Sequence, residues 1–154
     1  MPDPADRLPS FEAFWPRYLA DHDDPRSRWM HFAGTSGFFG VLISCVAAAP
    51  LRMAVALALG FVLMRFAWTW EAKRSAAPAL LGFIALCALA QPFVLVGVVF
   101  AYAFAWVGHF LIEKNRPATF TYPVWSLAGD FRMYGKMLRG QLSTGRALTA
   151  GAPA

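Results

Sequence analysis

Between Ser75 and Ile112 the chain carries no Lys, Arg, Asp or Glu. Drawn as one helix, that run would be about 57 Å long, against a bilayer hydrocarbon core of about 30 Å. An ordinary soluble fold cannot hide so long a charge-free stretch without presenting apolar surface to water. Two passes through lipid fit the length. Gln91-Pro92 is the natural break between them, because Pro has no N–H to donate and disfavours helical geometry in the residue before it.

The pattern recurs upstream. Phe32 to Ala49 is free of charge, and Met53 to Trp70 carries only Arg65. Four spans follow, at approximately 33–49, 53–70, 76–90 and 93–112, and the third is short enough that a re-entrant or interfacial hairpin is its alternative. Composition agrees: 58% of the 154 residues are hydrophobic and 15% are charged, where soluble domains average about 25% charged. The expected fold is all-α, an integral membrane bundle of about four transmembrane helices with a short amphipathic helix at each end. One membrane domain is expected over 1–142, with interfacial segments at 11–31 and 125–142 and a disordered tail over 143–154.

Charge fixes the expected orientation. Twelve of the 14 Lys and Arg lie before the first span, between the second and third, or after the fourth. An even number of spans brings those three segments to one face, and the positive-inside rule makes that face cytoplasmic. Arg65 sits near the cytoplasmic end of its span and is read as snorkelling. The N-terminus MPDPADR has no apolar stretch behind it, so the first span is expected to direct insertion, in a bacterial inner membrane with both termini cytoplasmic. A net charge of +5 held at that face points to anionic lipid rather than nucleic acid. Cys45 and Cys87 fall inside apolar spans with no CxxC pattern, and read as small hydrophobes.

Two stretches outside the spans are amphipathic. Phe11, Phe14, Trp15, Tyr18 and Leu19 recur at helical spacing, although Pro16 favours a turn followed by a helix starting near Trp15 or Pro16. After the last span, Leu127, Phe131, Tyr134, Met137 and Leu138 form an apolar stripe opposed by Arg132, Lys136 and Arg139. Gly129 and Gly135 each weaken that helix by up to about 1 kcal/mol relative to Ala.

The chain has three histidines. His22 and His31 precede the first span and His109 falls in the last turn of the fourth, so an even span count gathers all three at one face. Neutral imidazoles ligate iron, zinc and copper, and a mononuclear oxygenase needs only three protein ligands. Three histidines are too few for a histidine-rich di-iron site. Glu113 follows His109 by four residues and shares its helical face. Asp21, Asp23 and Asp24 surround His22, where one could ligate, orient the imidazole or stay solvated. Arg28 and Arg116 could clamp a carboxylate or anchor lipid headgroups.

HDDPRSRWMHFAG (residues 22–34) and WVGHFLIEKNRPATF (106–120) resemble the two signature segments of the 2-hydroxy fatty acid dioxygenase-like membrane family, in its compact bacterial branch. The second carries a GH-x-x-x-E-x-x-x-PA pattern on Gly108, His109, Glu113, Pro117 and Ala118. Ser27 stands where the first pattern is expected to hold Asn. The segments bracket the membrane domain, so the resemblance covers roughly residues 11 to 140. It implies an iron(II) centre held by His22, His31 and His109, a 2-hydroxy fatty acid and O2 as substrates, and fatty acid α-oxidation as the reaction.

Oxidation to the one-carbon-shorter acid, CO2 and water takes four electrons, all available from the substrate. No reductase is then needed, in keeping with a sequence that offers no nucleotide motif. Arg28 and Arg116 are the candidate substrate-binding residues, with Glu113 and Arg116 the catalytic candidates beyond the ligands. Two rival readings stay open: a metal-dependent membrane lipid hydrolase with Glu113 as general base, and a non-enzymatic membrane scaffold.

Overall fold

A computed structural model describes residues 7–142 and Gly145. Its helices are α1 (Phe11–Ala20), α2 (Pro25–Ala48), α3 (Pro50–Trp70), α4 (Ala77–Ala90), α5 (Val94–Trp106) and α6 (Pro123–Leu138). α5 continues as a π-helical segment, Val107–Glu113, and a 3-10 turn, Ala118–Phe120, leads into α6. No strand occurs among the described residues. The tail over 143–154, expected to be disordered, lies outside the described residues apart from Gly145.

Three helical segments are long and apolar enough to cross a membrane: Pro25–Ala48, Pro50–Trp70 and Val94–Glu113. α4 has 14 residues, a length of about 21 Å that falls short of the hydrocarbon core. The expectation of about four spans thus resolves into three long helices and a shorter apolar partner. Leu51, Phe61, Leu81, Leu89 and Leu111 point outward, which lipid favours and water penalises. The protein is a helical membrane bundle.

α2 begins at Pro25, well before the expected limit at 33. The Asp24 side chain accepts from the Arg26 N–H at 2.8 Å and Pro25 occupies the first turn, a pairing that starts a helix wherever it falls. His31 is therefore a residue of the long helix, and the expected interfacial segment 11–31 divides at a short loop over 21–24. Pro16 does not break α1, which runs through it from Phe11. The carbonyl that loses its partner belongs to Glu12, on the exposed side with Pro16, while Phe11, Phe14, Trp15, Tyr18 and Leu19 are buried on the other. Burial of that stripe outweighs one hydrogen bond that water can replace.

The most extensive interfaces join α2 to α5 and α3 to α4. α1 and α6 pack across one end of the bundle, around Phe14, Tyr18, Tyr122, Trp125 and Met133. A second cluster, with Cys45, Met53, Cys87 and Val94, fills the opposite end of the bundle. α6 buries a different face from the one its sequence suggests: Trp125, Gly129, Met133 and Met137 are inside, whereas Phe131 and Leu138 are exposed. Gly129 is the reason, since a Cβ there would lie 3.0 Å from the Tyr18 ring, and α1 rests on that bare backbone. Phe131 and Tyr134 stack instead on Phe39 and Phe32 of α2, at 5.6 and 4.8 Å between centroids.

Glu71, fully buried at the end of α3, joins three elements. Its Oε2 accepts from the Val124 and Trp125 N–H groups at 2.5 and 3.0 Å and its Oε1 from Ala76 at 3.2 Å, with Arg7 at 3.7 Å. One carboxylate thereby satisfies orphan donors at the starts of both α4 and α6.

Gly34 sets how closely α2 and α5 approach. A Cβ there would meet the Ala101 carbonyl oxygen at 3.0 Å and the Phe104 Cβ at 3.0 Å, neither of which can swing aside, and small residues at such crossings are what let membrane helices pack tightly. Gly34→Ala is expected to destabilise the bundle by about 1–3 kcal/mol through overpacking. A thermal melt in detergent checks this; an unchanged midpoint would show that the helices separate freely.

Candidate metal centre

Each histidine comes from a different element. His22 sits in the loop after α1, His31 in the second turn of α2, and His109 in the π-helical end of α5. Gly108 permits the meeting: a Cβ there would lie 3.0 Å from Ser27 Oγ and 3.5 Å from the His31 ring. The π segment widens the last turns of α5 and ends at Lys114, whose φ of 53° is left-handed. The Asn115 N–H then returns to the His109 carbonyl at 3.0 Å. Such π insertions gather at functional sites.

The three rings are buried, at 0%, 5% and 4% exposure for His22, His31 and His109. Their centroids lie 4.5 Å (22 to 31), 4.7 Å (22 to 109) and 5.1 Å (31 to 109) apart, with the planes steeply inclined. One ring nitrogen from each lies within 4.8 Å of the others.

The outer nitrogens are all engaged. His22 Nδ1 lies 2.6 Å from the Tyr18 carbonyl oxygen, His31 Nδ1 2.7 Å from Asp130 Oδ1, and His109 Nδ1 2.7 Å from Asn115 Oδ1. Every partner is an acceptor, so each Nδ1 carries the proton and each Nε2 keeps its lone pair. Burial, reinforced by the neighbouring imidazoles, holds the His22 pKa well below the usual histidine range, which keeps the ring in its neutral, ligating form. His22 Nε2 and His31 Nε2 stand 3.2 Å apart, and two lone pairs at that distance repel unless a cation lies between them. The donor set fits a metal ion: three imidazoles, each fixed through its second nitrogen, with coordination positions left open. Imidazole suits iron, zinc, copper and nickel.

From His31 and His109 a cavity of about 300 Å³ runs into the bundle between α2, α4, α5 and α6. Besides the histidines, Thr35, Tyr102, Thr119, Ser126 and Asp130 supply its polar wall, and most of the remaining lining is apolar. Among the described residues, no Lys or Arg lines it.

Only the histidines among the sequence candidates come together here. Arg28 is buried, but its guanidinium is committed to backbone: Nε to the Leu142 carbonyl at 2.8 Å, Nη1 to those of His22 and Asp23 at 2.9 and 2.8 Å, and Nη2 to that of Gly145. It clamps the His22 loop to the C-terminal segment rather than a carboxylate in the cavity. Arg116 is exposed, 5.3 Å over the Phe120 ring. Glu113 Oε1 accepts from the Asp24 N–H at 2.9 Å, bracing the start of α2. Glu113 follows His109 by four residues in the same π-helical segment, but its carboxylate is not among the groups placed to share a metal with the three histidines.

Sequence reasoning passed over three contributors. Asp130 accepts from both His31 and the Tyr18 hydroxyl, the latter at 2.5 Å. Asn115 also donates from Nδ2 to the Asp21 carbonyl at 2.7 Å. Tyr18, read as part of an aromatic stripe, serves through its carbonyl and its hydroxyl. One signal was available: Asp130 is the only acidic residue after Glu113, in a segment otherwise rich in cations.

A family model described as "2-hydroxy-palmitic acid dioxygenase Mpo1-like" matches residues 8–142. No curated protein and no solved structure matches the chain.

Proposed function

This chain belongs to the Mpo1-like family, and we propose that it is an iron(II)-dependent dioxygenase of fatty acid α-oxidation in the membrane. The reaction takes a 2-hydroxy fatty acid and O2 to the one-carbon-shorter acid, CO2 and water. The bond between C1 and C2 breaks, and the substrate supplies all four electrons that O2 takes up. The observation that carries the reading is the convergence of three Nε2 lone pairs at one end of an apolar cavity.

His22, His31 and His109 would hold the iron. When bound, it supplies Lewis acidity toward the 2-hydroxy acid head and redox chemistry with O2 that side chains lack. The chain's own residues do the rest. Asp130, Asn115 and the Tyr18 carbonyl hold the three rings in one tautomer. The apolar wall takes the acyl chain and excludes water, while the hydroxyls of Thr119 and Ser126, 2.9 Å apart, offer hydrogen bonds beside the head. Among the described residues no Arg or Lys lines the cavity, so the bound metal would supply the positive charge that the carboxylate needs. In this reading Arg28, Glu113 and Arg116 support the framework. The basic face is cytoplasmic, and a bacterial inner membrane is the setting.

Full-length protein loaded with iron(II) is expected to consume O2 with a long-chain 2-hydroxy acid and to release CO2 and the shorter acid in equal amounts, with no turnover under argon. Product formed at full rate without oxygen would favour the hydrolase, whose proposed base, Glu113, instead accepts from the Asp24 N–H. Purified protein with neither bound transition metal nor a metal-dependent thermal shift would favour the scaffold.

A further inference from the structure

The far end of the cavity abuts a packed cluster of side chains. Along α2, His31, Thr35, Phe38, Phe39 and Leu42 face it in helical register. Leu42, Leu57, Cys87 and Val94 line its deepest part. Cys87 and Val94 belong to the cluster at the turn end of the bundle, and Leu42 and Leu57 pack on it; with Cys45 1% and Met53 0% exposed, this end of the cavity is bounded by close-packed side chains.

We infer that this floor is a chain-length gauge: Leu42, Leu57, Cys87 and Val94 set how long an acyl chain the protein accepts. The inference rests on the reading of the ligand as a 2-hydroxy fatty acid. From His31 to Leu42 the helix rises about 16 Å. A saturated chain advances ~1.25 Å per carbon, from a C–C bond of about 1.52 Å at the tetrahedral angle, so roughly a dozen carbons fill that depth. This is close to the tail that 2-hydroxypalmitate carries beyond its reacting carbon. Each added methylene that still fits tightens binding about fourfold, the equivalent of about 0.8 kcal/mol. One that must displace the cluster to which Cys87 belongs gains nothing and strains the packing. Affinity therefore climbs with length and then breaks.

The test uses the metal-loaded full chain in detergent under argon, with saturated 2-hydroxy acids of graded length competing against one radiolabelled member. Wild type is expected to show about a fourfold gain per carbon up to the break. Cys87→Phe raises the floor and is expected to move the break about two carbons shorter, the added depth of a phenyl ring over a thiol. Leu42→Ala deepens it and is expected to move the break to longer chains, which keeps the test decisive if the Phe variant folds poorly. In air, the product profile from an equimolar mixture of lengths is expected to shift the same way. A break at the same length in both folded variants, or affinity that never breaks, overturns the gauge and leaves the functional reading standing. No binding of a 2-hydroxy acid at any length overturns both.

Discussion

Alanine at His31 is expected to leave the purified protein without stoichiometric metal and to abolish oxygen uptake with a 2-hydroxy acid. Two imidazoles remain, too few to hold an exchangeable ion against solvent. Losing a mere orienting partner of a metal-bound histidine costs 10–100-fold in affinity, so losing the ligand is expected to cost more than about 100-fold. The fold is expected to survive. His31 lies in α2, whose packing against α5 rests on Gly34 and the residues beyond it, and Asp130 keeps the Tyr18 hydroxyl as a donor. Metal per chain by elemental analysis, alongside a thermal melt, separates a folded protein without its ion from an unfolded one. A folded variant that kept full metal and full oxygen uptake would sink the assignment of His31, and with it the three-histidine centre.

The sequence made the membrane bundle and the meeting of the histidines legible for one physical reason. Lipid demands long charge-free helices, and their parity decides which segments share a face. That argument needs no side-chain geometry. It places His22, His31 and His109 at one level but says nothing of which way their neighbours point. Glu113 shows the limit. Four residues from His109 it lies in the same helical segment, and the tertiary packing that brings the start of α2 beside that segment gives its carboxylate the Asp24 N–H instead. Arg28 shows a second limit. A buried guanidinium must find acceptors, but whether these are a substrate carboxylate or backbone carbonyls depends on how the C-terminal segment packs, roughly 115 residues downstream. Asp130 was missed because its role is set by α6 lying across α1 and α2, a tertiary fact that follows from the bare backbone at Gly129 against Tyr18.

Asp130→Asn is expected to weaken metal binding by 10–100-fold while leaving the metal-free protein close to wild type in stability. The Asp130 Oδ1 atom accepts from His31 Nδ1 at 2.7 Å and from the Tyr18 hydroxyl at 2.5 Å. Asparagine offers an oxygen of similar shape at that position, so both hydrogen bonds can form and the packing of α6 need not change. What disappears is the negative charge, which makes the His31 ring a stronger donor through Nε2 and steadies it when a cation is bound. Asp130 is thus a positioning residue, acting on the metal only through the imidazole. Tyr18→Phe provides the contrast. It removes one of the two donors to Asp130 but keeps the charge and the bond to His31, and is expected to cost about 1 kcal/mol of stability with a much smaller loss of metal affinity. Titration of the metal-free variants with iron(II) under argon, beside their thermal melts, gives both quantities. Equal losses of stability and affinity in Asp130→Asn would mean that the residue only holds the fold. Unchanged affinity in a folded variant would mean that the His31 ring needs no charged partner.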